Sequence, residues 1–461
     1  MKRALLFMAM FAAAGAGCAQ TETQTDAQSD EPRVDEPIGE VASADGTAPS
    51  PSNMARVGRQ IFFDTNLSSP AGQSCASCHS ISRMFSDPDT GVPTSEGVVS
   101  GRFGVRNAQS LAYAAFSGPL SYIAAEGGYA GGMFWDGRVN TLAEQAKQPF
   151  LNPLEMNNPD KATVVAKVQA SVYAPMFIAT FGANAFADVD TAYDNIGKAL
   201  QQFQQLRLFF PFTAKWDAYQ AGKATLTAAE ARGLAIFSDT ERAACITCHP
   251  SGPDADGSVA GLFTDFGYDN LGLPKNPSNP FYSEPAFNPD GSAYNDRGLG
   301  ATLDDTDFDG AFKAPSLRNL GRTGPYFHNG IFSTLKDVVH FYNTRDVPGA
   351  GWAAPEFPAS MNTADLGNLG LTNAEEDDLV TFLGTLNDAA PVINGSCSIT
   401  KGATIYNKEY PAHEPGLCGA QEFLLEEATI FCGGNALKYF GYSCNNTGDG
   451  MHTWLAYVAC C

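Results

Sequence analysis

Two short motifs carry the strongest chemistry in this chain: Cys75-Ala76-Ser77-Cys78-His79 and Cys245-Ile246-Thr247-Cys248-His249. In each, two thiols have the spacing that lets them add to the vinyl groups of one haem. The adjacent histidine is then held beneath the iron as its proximal ligand. Thiol pairs with this spacing also occur in redox dithiols and zinc half-sites. A structural zinc wants four ligands, and no further Cys or His lies near the first motif. Two such motifs, each after a similar apolar helix, predict two covalently bound c-type haems.

The histidines narrow the chemistry further. They are His79, His249, His328, His340, His413 and His452. None lies between His79 and His249, so the N-terminal part offers the first iron no second histidine. Unless Met84, Met133 or Met156 binds it, that iron keeps an open face. An open face is what hydrogen peroxide needs, whereas a pure electron carrier wants both axial positions filled.

The cysteines divide by role. Cys18 sits near the start, and Cys75, Cys78, Cys245 and Cys248 belong to the haem motifs. Cys397, Cys418, Cys432, Cys444, Cys460 and Cys461 fall in the last segment. Six cysteines in so short a stretch predict a small module stapled by three disulfides, in an oxidising compartment.

These sites need elements to hold them. Lys2 and Arg3 followed by the apolar run Ala4 to Ala14 read as an export signal. Gly15-Ala16-Gly17-Cys18 resembles a lipobox with glycine in place of the usual leucine, so a lipid anchor through Cys18 and plain secretion both stand. Residues 19–50 are polar and acidic, a disordered tether. A first haem domain is expected over 51–222, a second over 223–390, and the cysteine module over 391–461. Gly58, Ile61 and Phe62 precede the first motif as Gly233, Ile236 and Phe237 precede the second, which suggests two copies of one unit. Thr227 with Glu230, and Thr372 with Glu375, are capping-box patterns ahead of apolar helices. Strand signals are scarce in both haem domains. The formal net charge of −22 disfavours nucleic acid and anionic lipid surfaces and would attract a basic protein partner.

Beyond the haem motifs, several blocks carry a family resemblance. They are Arg106-Asn107-Ala108, Phe134-Trp135-Asp136-Gly137-Arg138, Glu144-Gln145-Ala146 and Asn152-Pro153-Leu154-Glu155-Met156. The stretch from Ala314 through Arg318-Asn319 to Pro325-Tyr326-Phe327-His328-Asn329-Gly330 completes the set. Over roughly residues 53–390 the chain resembles the bacterial di-haem cytochrome c peroxidase and MauG superfamily.

The resemblance implies a mainly α fold: two cytochrome c-like haem domains packed together, here with a disulfide-rich C-terminal module outside the family pattern. It places peroxide chemistry at the N-terminal haem, with Glu155 as acid–base residue and Gln145 as a distal-pocket amide shaped by Pro149. Trp135 matches the tryptophan between the haems. Asn107, with the backbone carbonyls of Thr323 and Pro325, matches an inter-domain calcium site. The far ligand of the second haem separates the branches: methionine in classical peroxidases, tyrosine in the MauG type. Tyr342 is at the matching position, with Met361 and His340 as alternatives. His340 is expected to pair with Asp337 at the surface, and His328 to bond a haem edge. The implied partners are hydrogen peroxide and an electron donor, either a small redox protein or a protein substrate. A non-catalytic electron-transfer cytochrome and a surface-binding protein led by the C-terminal module are the rival classes.

Overall fold

The computed structural model describes residues 52–252 and 261–388, and beyond them the backbone of three strands between 404 and 460. The leader with Cys18, the tether, and the side chains of the six C-terminal cysteines lie outside the described residues.

The first half is helical. Helix α1 (Asn53–Phe63) starts where the Ser52 hydroxyl accepts from the Ala55 N–H, and it buries Val57, Gly58, Ile61 and Phe62 on one face. The single turn α2 (Cys75–Cys78) carries the first thiol pair. Helix α3 (Leu142–Leu151) opens with a Thr141–Glu144 capping box. Helices α4 (Lys161–Ala170), α5 (Ala174–Phe181) and α6 (Val189–Gln204) follow. Asp160 and Asp188 cap α4 and α6. Val57, Phe62, Phe150, Phe177, Phe203 and Phe209 are fully buried in the core they enclose.

The second half repeats the plan. Helices α7 (Lys215–Gln220), α8 (Ala228–Phe237), α9 (Leu299–Leu303), α10 (Leu335–Thr344) and α11 (Asn373–Gly384) line it in order. Both expected capping boxes form, at Thr227–Glu230 and Thr372–Glu375. Phe237, Phe263, Leu379, Phe382 and Leu383 make its core, joined by Ala214 and Trp216 from just upstream. Among the described residues no single helix is long and apolar enough to cross a membrane.

Strands are few. β1 (Ser121–Ile123) and β2 (Gly128–Ala130) form a hairpin, and β3 (Tyr268–Asp269) pairs with β4 (Phe312–Lys313). In the C-terminal segment β5 (Thr404–Pro411), β6 (Leu437–Asn446) and β7 (Met451–Cys460) form an antiparallel sheet in the order β5-β7-β6. Cysteine spacing gave no sign of that sheet.

The repeated glycines explain the repeated architecture. A Cβ on Gly58 would lie 1.9 Å from the Ala199 carbonyl oxygen, and one on Gly233 would lie 2.1 Å from that of Asp378. So α1 crosses α6, and α8 crosses α11, with backbones in contact. Each crossing places the helix ahead of a CxxCH motif against the last helix of its unit. Gly58→Ala should therefore destabilise the protein by about 1–3 kcal/mol, the usual scale of overpacking. A thermal melt of the holoprotein checks this, and an unchanged midpoint would contradict the crossing.

Candidate active site

Both motif histidines are oriented in the same way. His79 Nδ1 lies 2.9 Å from the Phe85 carbonyl oxygen, and His249 Nδ1 lies 2.8 Å from that of Phe263. A carbonyl can only accept, so each Nδ1 carries the proton and each Nε2 keeps its lone pair. Phe85 and Phe263 share the left-handed conformation, with φ of 59° and 56°, which turns each carbonyl back toward its imidazole. Burial keeps both rings neutral and lowers His249 to about 4. Two thiols beside a neutral imidazole with an available Nε2 fit a covalently held haem at each motif.

The second motif opens on a large cavity. Cys245, Cys248 and His249 border it, with an apolar wall that includes Phe237, Leu317, Val339, Leu379 and Leu383. Tyr342, from α10, borders the same cavity, and burial raises its phenol far above the usual range. Met361 does not border it. Its sulfur packs against Gly272, where a Cβ would lie only 2.2 Å away. His340 does not border it either, and its expected pairing with Asp337 is corrected: His340 Nδ1 lies 2.9 Å from Glu376 Oε1. Asp337 is occupied with the Thr334 N-cap instead. His328 borders the cavity, stacks on Phe312 at 3.5 Å, and has no hydrogen-bond partner on either ring nitrogen, with Glu356 Oε2 4.0 Å from Nε2.

A neighbouring cavity lies beside it, and Trp135 borders both. The indole is clamped. Its Nε1–H donates to the Asn107 carbonyl at 2.9 Å, and its own carbonyl accepts from the Lys313 N–H at 2.9 Å. Gln145, Asn107, Thr323, Pro325 and Met133 also border this neighbouring cavity. Asn107 donates its side-chain N–H to the Pro93 carbonyl, which leaves its amide oxygen as the remaining side-chain acceptor. Among the described residues no three His, Cys, Asp or Glu side chains cluster as a metal site. A cation here would rest on neutral oxygens, a donor type calcium accepts. Met84 and Met156 pack into apolar clusters, Met156 in the first core and Met84 with Tyr113 and Leu262.

Glu155 sits in a tight turn after α3. Asn152 accepts there from the Leu154 and Glu155 N–H groups. The Glu155 carbonyl accepts from Val98 at 2.8 Å, and a Cβ on Gly97 would lie 2.3 Å from the Leu154 carbonyl oxygen. The loop therefore presses flat on the 97–98 backbone. Glu155 Oε2 is buried without a hydrogen-bond partner. Burial pushes the carboxyl up to about 7, against the opposing pull of Arg138 and Asn152. Its charge weighs on both Cys75 and Cys78, so the group faces the first haem motif. Pro149 within α3 has no N–H to offer the Gln145 carbonyl one turn earlier.

Two features facing these cavities had no sequence signal. Lys313 is buried and borders both; its ammonium donates to the Gly132 carbonyl at 2.5 Å, and desolvation lowers it to about 8. Tyr129, in β2, borders the second-motif cavity. Only the apolar context of the Phe312-Lys313-Ala314-Pro315 run could have marked the lysine as buried.

Comparison with known proteins agrees with this geometry. The family described as di-haem cytochrome c peroxidase matches residues 52–225. The methylamine utilization protein MauG of Paracoccus denitrificans is 37% identical over 373 residues, covering 76% of this chain and 94% of the relative. The chain belongs to the di-haem cytochrome c peroxidase and MauG family. A cytochrome-c peroxidase of Denitromonas iodatirespirans, IdrP1, is 30% identical over 78% of this chain and 88% of its own. The crystal structure of the diheme peroxidase BthA from Burkholderia thailandensis superposes with a TM-score of 0.68 at 34% identity, covering 76% of this chain and 90% of that one. Membership makes the chain a peroxide-acting oxidoreductase with two c-type haems. A haemochrome assay should return two haems per chain, and Cys75→Ala with Cys78→Ala should leave one. Retention of both haems in that double variant would contradict the assignment of the first motif.

Proposed function

We propose that this protein reduces hydrogen peroxide at the haem held by Cys75, Cys78 and His79, drawing electrons from a protein donor through the haem held by Cys245, Cys248 and His249. The observation that carries the proton chemistry is the buried, partnerless Glu155 oxygen facing the first motif. The haem iron supplies the redox chemistry of peroxide reduction. Glu155 takes a proton from the peroxide and returns it to the leaving oxygen, so that water departs. Gln145 donates an amide hydrogen bond that orients the peroxide. Trp135, bordering both cavities, relays electrons between the haems. Asn107 with the Thr323 and Pro325 carbonyls holds one calcium ion at the junction.

The MauG-like branch is the better reading of the donor. It is supported by Tyr342, which borders the His249 cavity while Met361 packs elsewhere. Bound to a second haem in place of methionine, a hard, anionic Tyr342 phenolate would favour the ferric state. It would suit that site to share oxidising charge drawn from a protein substrate and not to store one ready electron. The alternative is a conventional cytochrome c peroxidase, in which a small redox protein feeds the second haem rapidly. We also read the chain as exported to the periplasm, with Cys18 as a lipid-attachment site, and its C-terminal module as held by three disulfides.

Three measurements test the site. Glu155→Gln should keep both haems and slow peroxide cleavage by about a hundredfold, the scale of losing a positioned acid–base group. Near-wild-type rates would remove Glu155 from the mechanism. The pH dependence has a definite sign. Burial raises Glu155 to about 7, so the proton-accepting carboxylate dominates only above that pH. The rate with peroxide should rise through about pH 7 and then level off, and that rise should vanish in Glu155→Gln. Tyr342→Met should raise the second haem's reduction potential. An unchanged potential, or rapid wild-type turnover of reduced cytochrome c, would favour the conventional peroxidase.

A further inference from the structure

We propose that Tyr122 and Tyr129 form the port through which electrons from a protein donor enter the second haem cavity. This rests on the peroxidase reading and specifies where its electrons come in. The two tyrosines are directly opposite each other in the β1–β2 hairpin. Their rings meet edge to face with centroids 5.1 Å apart. Tyr122 is 55% exposed, while Tyr129 borders the cavity that also contains Cys245, Cys248, His249 and Trp135. One pair of touching phenols thus spans from solvent to the haem cavity. The backbone fixes this span. Gly131 N–H donates to the Phe266 carbonyl at 3.0 Å, Tyr268 Oη–H donates to the Gly131 carbonyl at 2.7 Å, and Ala130 bridges Gly267. Tyr129 is held from its other side by Phe308, at 5.3 Å between centroids.

A cross-strand aromatic pair stabilises a hairpin on its own account. That role does not require one ring to border a cofactor cavity and the other to face water. A phenol, unlike a phenylalanine ring, can pass an electron by losing its proton at the same time. In each transfer Tyr129 gives one electron to the oxidised cavity and its proton to water. It recovers both from Tyr122, which is re-reduced by the protein donor with uptake of a proton from water. Two such transfers, with two protons, convert one hydrogen peroxide into two waters.

The test uses the diferric holoprotein, stoichiometric hydrogen peroxide and a nitroso spin trap, with trapped residues located by peptide mass spectrometry. The wild type should carry trap on Tyr122. Tyr129→Phe, which keeps the ring packing, should lose the Tyr122 adduct while the haem bands respond to peroxide at the wild-type rate. Tyr122→Phe should likewise leave the haem response intact. A purely structural pair would leave the trapping at Tyr122 unchanged in Tyr129→Phe, and that result overturns the proposal. So does a normal haem response with no adduct on Tyr122, or with the adduct on Tyr219, the other exposed tyrosine among the described residues. Haem bands that do not respond to peroxide at all would overturn the peroxidase reading and this port with it.

Discussion

The buried Arg106 guanidinium ties the two halves together at their junction. Its Nε and Nη2 fork onto Asp296 at 2.6 and 2.7 Å, and its Nη1 reaches Asp136 at 2.7 Å. A charge buried this deeply must be met, and removing one partner of such a pair costs about 3–5 kcal/mol. Asp136 and Asp296 come from opposite halves of the chain, so neutralising one cation fastens the halves together. Asp136 also follows Trp135 directly, and Asn107, which follows Arg106, accepts the indole N–H. The ion triad and the indole clamp are therefore one assembly.

Around that junction the two halves are copies with different outlooks. Each crosses two helices at a glycine, follows with a CxxCH turn, and aims the histidine with the carbonyl of a left-handed phenylalanine. The shared frame explains why either motif can hold the same kind of cofactor. The differences come from what each half adds later in its sequence. The first half adds the 152–158 turn, pinned where Asn158 donates to the Leu67 and Phe150 carbonyls, and that turn carries Glu155. The second half adds α10, whose face brings Tyr342 into the cavity.

What could be read from the sequence was what local rules determine. The thiol pairs, the capping boxes, the Thr334 N-cap and the glycine repeats each lie within a few residues, and the structure contains all of them. Partners that meet across long stretches of chain leave no such period. Arg106 and Asp296 are 190 residues apart, and nothing near either names the other. His340 was assigned to Asp337 because that carboxylate is close in sequence, yet the helix cap claims Asp337 and α11 supplies Glu376. Lys313 reads as an ordinary surface lysine until Gly132 and Ser117, from far upstream, enclose it. In the C-terminal segment the cysteine count drew attention to bridges, while the backbone there pairs as a sheet.

On the proposed reading, the surroundings of the two haem motifs divide the work by the acidity of Glu155 at the first and Tyr342 at the second. Both Glu155 and Tyr342 are buried, and burial raises both, but from very different starting points. Glu155 arrives near neutrality, where a proton can be taken and returned at little cost in either direction. Tyr342 is driven far above neutrality, so its proton is fixed unless a strongly electron-withdrawing metal replaces it. Desolvation alone thus suits Glu155 to repeated proton transfer, and leaves Tyr342 with an oxygen that would become anionic only by binding a cation. A hard anionic oxygen would favour a more oxidised metal, so on this reading proton handling stays with Glu155 and oxidising charge with the Tyr342 side. Trp135, held by backbone hydrogen bonds, gives its indole N–H to the Asn107 carbonyl and not to a carboxylate, so no titratable base sits at the indole nitrogen. The separation of protons from electrons is therefore a consequence of where the fold excludes water and which side chain it leaves at each wall.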